Sequence, residues 1–290
     1  MSGWMDSILQ GLLLGGIYGL FATGLSLVFG VMRLVNVAHG DMIVLSAFLA
    51  LWIERTLDLP SPFLALIVLL PLMFLVGYVL QRTILNKALG EDILRPVLIT
   101  FGLSVIVQNG LLEAFSANPQ KLIGGRLETA SVHLPGGLMA GAFPLLTLGV
   151  SAAVIGLLQW TLYRTALGRA LRATSDDPQT AAMMGVKTPH IFALATGIAM
   201  ATVALAGVFT GIRASFDAFS GPDWLIFAFE AVIIGGLGSL WGTLAGGITL
   251  GIAQTVGAHF SPGWQLLSGH LAFLVILVLL PRGFFPRRAD

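Results

Sequence analysis

Nine apolar stretches follow one another along the chain, most of them long enough to cross a lipid bilayer as a helix. A crossing helix needs about 20 mostly apolar residues, because the hydrocarbon core is about 30 Å thick and each residue adds about 1.5 Å. The stretches lie near residues 8–30, 38–53, 63–82, 95–114, 143–163, 191–212, 224–237, 241–259 and 265–281. This pattern predicts an all-α polytopic integral membrane bundle of about eight or nine transmembrane helices.

The composition agrees with this fold class. Only 10% of the residues are charged, less than half the usual fraction of a soluble domain, which is about 25%. Two hydrophilic stretches, 115–142 and 164–190, are too short to be separate domains, so residues 1–290 are predicted to form a single transmembrane domain.

The composition also excludes some partners and sites. The 15 Lys and Arg residues nearly balance the 14 Asp and Glu residues, which argues against nucleic acid as a partner. The absence of cysteine excludes disulfides and thiolate metal sites.

The distribution of cations predicts an orientation, since Lys and Arg near span ends are retained on the cytoplasmic side. With an external N-terminus and nine spans, all but four of the 15 basic residues fall inside. The four outside are Arg55, Lys121, Arg126 and Arg213. The 115–142 stretch is then an external ordered loop, with turns at Asn118-Pro119 and at residues 135–137, and the 164–190 stretch is cytoplasmic.

The cytoplasmic stretch contains a short helix with both ends marked, predicted to run from Pro178 to Met184. Asp177 is a favourable N-cap, Pro178 suits the first helical position, and Gly185 tolerates the left-handed conformation that often follows a helix. Ala181, Met183 and Met184 are predicted to form an apolar surface for a partner's groove. The alternative is a connecting turn that lies on its own bundle.

Glycines four residues apart predict close contacts between helices, because they lie on one face where backbones can approach. The two sets are Gly11, Gly15 and Gly19, and Gly238, Gly242 and Gly246. The second set follows the pair Gly235-Gly236, which weakens a helix. The 235–242 stretch is therefore either a tight packing surface or a break between half-helices that lines a water-filled path.

Four polar side chains fall within or beside apolar stretches, where charged groups are costly and usually face the protein interior. Glu230 has no cation near it in sequence, so it is either a path residue or a protonated structural group bonded to another helix. Asn36, His39 and Asp41 crowd the inner start of the second span, at the predicted bilayer edge. Helix capping and packing is the expected role of these three, with gating as the alternative.

Catalytic sites are not evident in the sequence. His39 and Asp41 lack the further ligands of a metal site and the nucleophile of a hydrolase. The chain also has no Gly-Lys followed by Ser or Thr, the end of a phosphate-binding loop. It is therefore predicted not to be an enzyme, to bind no cofactor or metal, and to need another protein for any ATP hydrolysis.

The chain resembles the LivH-type permeases of branched-chain amino acid ABC transporters at three places in the same order. These are the opening from Gly11 to Asp41, the cytoplasmic Gly168-Arg169-Ala170-Leu171-Arg172-Ala173 with Asp176, Ala181 and Gly185, and the late Gly235-Gly236-Leu237-Gly238-Ser239-Leu240-Trp241-Gly242. Together they cover nearly the whole chain.

The resemblance implies a permease subunit of an importer in the bacterial inner membrane. It implies a second, paralogous permease chain, two cytoplasmic ATPase subunits that bind ATP and Mg²⁺, and an extracytoplasmic binding protein. In such importers a short cytoplasmic helix docks on the ATPase. This assigns ATPase coupling to Arg169, Arg172, Asp176, Asp177, Pro178, Ala181, Met183, Met184 and Gly185. Under the alternatives left open above, the candidate gating or path residues are Asn36, His39, Asp41, Glu230, Gly235, Gly236 and Gly238.

Branched-chain amino acids are the expected substrates, although similar permeases carry urea, short amides or aromatic acids. Asp223-Trp224 and Glu230 depart from the leucine-type pattern. A different class remains open from the residues themselves: a secondary transporter or channel in which Glu230, His39 and Asp41 relay protons or bind ions. An intramembrane hydrolase is a further alternative, but it needs a serine or an acid pair within reach across helices.

Overall fold

The computed structural model describes residues 2–90, 94–134 and 138–285 as an assembly of helices. The predicted turn at residues 135–137 lies outside them. Helices α1 to α13 are, in order, Ser2–Met32, His39–Thr56, Pro62–Leu80, Asn86–Ala88, Leu94–Phe115, Arg126–Thr129, Ala142–Arg164, Ala166–Asp176, Pro178–Met183, Thr188–Arg213, Gly221–Gly235, Leu240–Phe260 and Trp264–Leu279. A π-helical turn, Gln81–Leu85, joins α3 to α4. Strands β1 (Ser131–Leu134) and β2 (Leu138–Gly141) form an antiparallel hairpin.

Each of the nine predicted apolar stretches becomes a helix, with ends that differ by a few residues. Five of them, α1, α3, α5, α7 and α10, are long and apolar enough to cross a membrane. Helices α11 and α12 pass the same test only as a pair, and they meet at an angle of 116° across a short break. The described residues thus support five or six spans, and the predicted count of eight or nine stays a prediction.

The bundle has a central layer and a peripheral layer. In their most apolar windows, α1 is 89% buried and α10 is 78% buried, whereas α5 is only 17% buried. The difference follows from side-chain size: the α1 face that carries Gly11 and Gly15 lies directly on α12, so the two backbones approach closely. The larger Leu, Ile and Phe side chains of α5 face outward, as expected for contact with lipid or another subunit.

The two ends of the bundle carry different segments. At the N-terminal end of α1, the Gln10 amide donates a hydrogen bond of 3.1 Å to the Met139 carbonyl of the hairpin. At the other end of α1, the Ser175 hydroxyl of α8 donates one of 2.6 Å to the Gly30 carbonyl. The hairpin and the α8–α9 segment therefore lie at opposite ends of the bundle.

The four cations that were predicted to be external lie at the hairpin end. Arg55 donates to the Gln120 side chain (3.1 Å), and Lys121 pairs with Glu128 beside Arg126 of α6. The last turn of α10, which ends at Arg213, receives a backbone hydrogen bond from Leu122. The fold therefore collects these four cations on one side, although the direction of that side across a membrane stays a prediction.

Candidate functional site

The short helix α9 begins as the sequence predicts. The carboxylate of Asp177 accepts hydrogen bonds from the backbone amides of Gln179 (2.9 Å) and Thr180 (3.1 Å) and from the Thr180 hydroxyl. Donation from the Thr180 hydroxyl, and then from these amides, holds the pKa of Asp177 below its usual range. Asp177 is thus a charged N-cap at the start of the helix.

The helix also ends close to the predicted position. It stops at Met183, one residue earlier than predicted, with Met184 as the C-cap. Gly185 follows with a φ of 88°, in the left-handed region that the prediction required. The amides of Gly185 and Val186 then bond to the carbonyls of Ala182 and Ala181, which closes the turn.

The apolar surface of α9 is narrower than predicted. Met183 and Met184 are 79% and 82% exposed, whereas Ala181 is only 5% exposed. The prediction that Ala181 belongs to the exposed surface is wrong, because Ala181 lies on the face of α9 that packs against its own chain. The two methionines remain as an uncovered apolar pair of the kind that marks an interaction site.

The charged residues of α8, which precedes α9, differ in how exposed their side chains are. Arg169 and Asp176 are exposed, as expected for residues that contact a partner. Arg172 is half-buried, with its guanidinium 4.8 Å from the centre of the Tyr163 ring. Arg172 therefore turns toward the bundle more than Arg169 does, and the assignment of both residues to ATPase coupling stays a prediction.

The polar residues before and in α2 lie deep in the bundle, not at its edge. His39 Nε2 is 2.8 Å from the carbonyl of Phe21, and Phe21 lies about 16 Å along α1 from its end at Met32. The linker 33–38 runs back along α1 before α2 begins, which explains the depth. The Asn36 side chain accepts a hydrogen bond from the Ala38 amide (3.1 Å) in the turn before α2, but α2 has no side-chain cap, so the expected capping role stays a prediction.

Asp41 has a partner that the sequence did not reveal. Its carboxylate accepts a hydrogen bond of 2.8 Å from the Gln108 amide of α5. It also lies against the start of α11, where a side chain on Gly221 would overlap it, as one on Gly40 would overlap the Gly221 carbonyl. Asp41 of α2 is thus hydrogen-bonded to α5 and closely packed against α11.

Glu230 is buried on α11, and the prediction that it faces the protein interior is confirmed. Its carboxylate lies 2.5 Å from Nδ1 of His270 on α13. The structure does not bring it together with Asp41, because Glu230 is nine residues beyond Gly221, or about 13 Å along α11. The predicted path residues therefore form separate contacts along this helix.

The glycine motif at residues 235–242 combines a helix break with a tight packing surface, whereas the predicted water-filled path along it stays a prediction. Helix α11 ends at Gly235, and Gly236 and Gly238 adopt φ values of 101° and 80°, so the chain reverses direction there. At the same place Gly235 and Gly242 lie backbone against backbone. Gly246 packs on the Ala231 carbonyl in the same way. The half-helix break and the tight packing surface coexist.

The first glycine set is a helix contact as predicted. Side chains on Gly11 and Gly15 would overlap the backbone of Ile252 and Ile248 of α12. Gly19 faces side chains instead, with the Ser151 hydroxyl 2.7 Å from where its Cβ would lie.

Sequence reasoning missed Gln108, Gln254 and His270. The Tyr18 hydroxyl donates a 2.6 Å hydrogen bond to Gln254, which parallels the Asp41 and Glu230 contacts. Each of these three residues is a single amide or imidazole side chain in an otherwise apolar helix. In a membrane helix, such a side chain indicates a hydrogen-bond partner on another helix. Nowhere in the described ranges do three His, Asp or Glu side chains converge on a metal-sized site.

Comparisons with known proteins agree along the whole chain. A family model described as the permease component of the branched-chain amino acid transport system matches residues 7–280. BraD of Pseudomonas aeruginosa, a high-affinity branched-chain amino acid transport system permease protein, is 26% identical over an alignment of 298 positions, gaps included, that covers 98% of this chain and 96% of BraD. LivH of Escherichia coli K12, of the same description, is 26% identical over an alignment of 304 positions that covers 98% of this chain and 96% of LivH.

One solved structure also resembles the fold. PsaBC from Streptococcus pneumoniae, in complex with Fab, aligns over 94% of this chain and 91% of that chain with a TM-score of 0.51. The sequence identity is 15%, so the likeness concerns the fold alone.

Proposed function

The chain belongs to the family of permease components of branched-chain amino acid transport systems, and we propose that it forms half of the pore of an importer for these amino acids. As a permease subunit of an ABC transporter it is not an enzyme, and ATP is hydrolysed by separate subunits. The observation that carries the substrate assignment is the end-to-end alignment with BraD and LivH, both permeases for branched-chain amino acids.

The proposed assembly brings the chain into contact with four kinds of partner. A second, paralogous permease completes the pore, two cytoplasmic ATPase subunits bind ATP and Mg²⁺, an extracytoplasmic protein delivers the amino acid, and lipid of the bacterial inner membrane surrounds the whole. The outward-facing apolar side chains of α3 and α5 support contact with lipid or the second permease. The exposed pair Met183 and Met184 supports docking of an ATPase on α9.

In this assembly the chain transmits movement from the ATPase to the helix bundle, as a lever, and lines half of the translocation path. Movement of the docked α9 is passed to the bundle through α8, whose Ser175 is bonded to α1. The glycine break at Gly235, Gly236 and Gly238 is the proposed flexible point. The buried contacts of His39, Asp41 and Glu230 are candidates for groups that rearrange as the path opens.

A secondary transporter is the rival with a specific observation in its favour, the pair of buried Glu230 and partly exposed His270, which resembles a proton relay. The two functions differ in energy source. Both are tested by reconstituting the chain with its partner permease, ATPases and binding protein in liposomes and measuring leucine uptake.

We expect uptake that requires ATP, stops with an inactive ATPase variant and survives collapse of the proton gradient. Excess isoleucine and valine should compete with leucine, whereas urea, short amides and aromatic acids should not. Uptake that persists without ATPases but stops with the proton gradient would favour the secondary transporter. ATP-dependent uptake of urea, an amide or an aromatic acid instead of leucine would retain the importer and change the substrate.

A further inference from the structure

A cavity of about 330 Å³ lies at the α8 end of the bundle, between α1, α7, α8 and the start of α12. Ser26, Gln159, Arg172 and Ser239 contribute polar groups to its wall. Ser175 and Gly238 of its wall belong to the lever and the flexible point of the proposed transport function, but that function assigns no ligand to the cavity.

The cavity carries positive charge without a compensating acid. Arg172 is its cation, and among the described residues that line it there is no Asp or Glu. The Nε atom of Arg172 is buried and has no hydrogen-bond partner among the described residues, because the guanidinium rests on the face of Tyr163 and not on a carboxylate. A partly buried guanidinium with an unpaired Nε–H and no carboxylate favours an anionic ligand.

The start of α12 adds a second source of positive potential. Ser239 is the N-cap, and its hydroxyl accepts from the Gly242 amide (3.2 Å). The amides of Leu240 and Trp241 belong to the first turn, where no carbonyl of the same helix can accept from them, and both residues line the cavity. A helix of 21 residues directs its positive dipole end at this point.

A buried hydroxyl points independently to a polar ligand. Ser26 of α1 is 1% exposed and lines the cavity, yet its Oγ atom has no hydrogen-bond partner among the described residues. Burial of an unpaired hydroxyl is unfavourable, and a ligand oxygen in the cavity would remove that cost. This hydroxyl, Arg172 and the α12 amides belong to three different helices that meet at the cavity.

The rim indicates where the anion comes from. Tyr163 and Trp241, two aromatic residues of the kind found at membrane interfaces, are 56% and 47% exposed at its edge. Tyr163 is the next-to-last residue of the membrane-spanning helix α7, so the cavity lies where lipid headgroups are expected. Basic pockets between helices at this level suit phosphate-bearing headgroups.

We propose that this cavity binds a phosphate group through Arg172, Ser26 and the first amides of α12, and that an anionic phospholipid supplies it. The bound headgroup would tie α8, and with it the segment that carries α9, to α1 and α12.

The test uses the full-length chain purified in detergent, with native mass spectrometry to follow binding of phosphatidylglycerol. Wild-type protein should bind one phosphatidylglycerol more tightly than phosphatidylcholine. Arg172→Gln should weaken binding about tenfold, the loss expected for one charge-assisted contact. Arg172→Lys should retain most of it, and Arg169→Gln, an exposed matched control on the same helix, should bind like wild type.

Two further measurements, on a Gln159→Glu variant and with inorganic phosphate as a competitor, test the same site. If Arg172→Gln does not fold, Gln159→Glu changes the cavity wall without changing its size, and its added carboxylate should weaken binding of phosphatidylglycerol. Inorganic phosphate should compete with phosphatidylglycerol in wild type. Stabilisation by inorganic phosphate without binding of phosphatidylglycerol would overturn the lipid source. Wild-type affinity in Arg172→Gln or in Gln159→Glu, or an equal loss in Arg169→Gln, would overturn the site.

Discussion

His270 Nδ1 on α13 lies 2.5 Å from the carboxylate of Glu230 on α11. The Glu230 side chain is 6% exposed and that of His270 is 41% exposed, so the contact joins the interior to a helix at the surface of the chain. Tyr18 and Gln254, and Gln108 and Asp41, form two further hydrogen bonds between helices. Three polar contacts of this kind therefore hold helices of the bundle together.

Removing the Glu230 carboxylate should destabilise the protein. Glu230→Ala leaves His270 without its acceptor and is expected to cost about 2 kcal/mol, the range for a hydrogen bond to a charged group. Glu230→Gln should cost less, because its amide oxygen still accepts from Nδ1. Thermal unfolding in detergent measures both, with Glu113→Ala, an exposed carboxylate on α5, as the control. Equal midpoints for the variants at 230 and 113 would contradict the role of the pair.

The α1 contact with α12 should tolerate no side chain at Gly15. A Cβ there meets the Ile248 backbone, which cannot move aside, so Gly15→Ala is expected to cost roughly 3 kcal/mol and Gly15→Leu to prevent assembly. Gly19→Ala should cost less, because it meets the movable side chains of Ser151 and Leu244. The yield of monodisperse protein gives the result, and Gly149→Leu, at a position with open space, is the control. Normal yield of Gly15→Leu would refute the contact.

The Asp177 cap should make α9 sensitive to acid. The folded-state pKa of Asp177 is lowered, so its contribution is present at neutral pH and is lost as pH falls through that folded pKa, below the usual range for Asp. At neutral pH, Asp177→Ala should speed hydrogen exchange of the amides in 179–184, and Asp177→Asn should have a smaller effect. Below the folded pKa the wild type and Asp177→Ala should converge. A difference between them that does not depend on pH would contradict this account.

Local patterns along the chain predicted much of the fold. The apolar stretches located nine helices, and Asp177, Pro178 and Gly185 located both ends of α9, because capping and helix length depend on neighbouring residues. The glycine sets predicted their contacts for the same reason, since a spacing of four fixes a helix face. The resemblance to LivH-type permeases is confirmed by the family match.

Contacts between distant segments were not predictable in this way. His270 lies 40 residues beyond Glu230, and nothing in the apolar sequence around either residue indicates that α11 and α13 meet. The depth of His39 depends on the path of the linker 33–38, and the inward face of Ala181 depends on how α9 lies against its own chain. Ala181 was assigned to the exposed surface of α9 for this reason, although it faces inward.

Docking of an ATPase on α9 should fail when the exposed methionines become charged. Met184→Asp puts a carboxylate on the apolar surface but disturbs no packed contact of the chain itself, because Met184 is 82% exposed. Gly185→Val acts differently: there is space for the side chain, but a β-branched residue resists a φ of 88°. Two matched controls lie at the opposite end of the bundle, Met139→Asp and Gly263→Val, where Met139 is 48% exposed and Gly263 has a φ of −67°.

Docking on α9 is measured by co-purification of the ATPase with each variant, together with ATP-driven leucine uptake in liposomes. We expect Met184→Asp and Gly185→Val to insert and fold normally, to lose most of the bound ATPase and to lose uptake, while Met139→Asp and Gly263→Val retain both. Wild-type ATPase association and uptake in Met184→Asp and Gly185→Val would contradict the assignment of α9 as the docking helix.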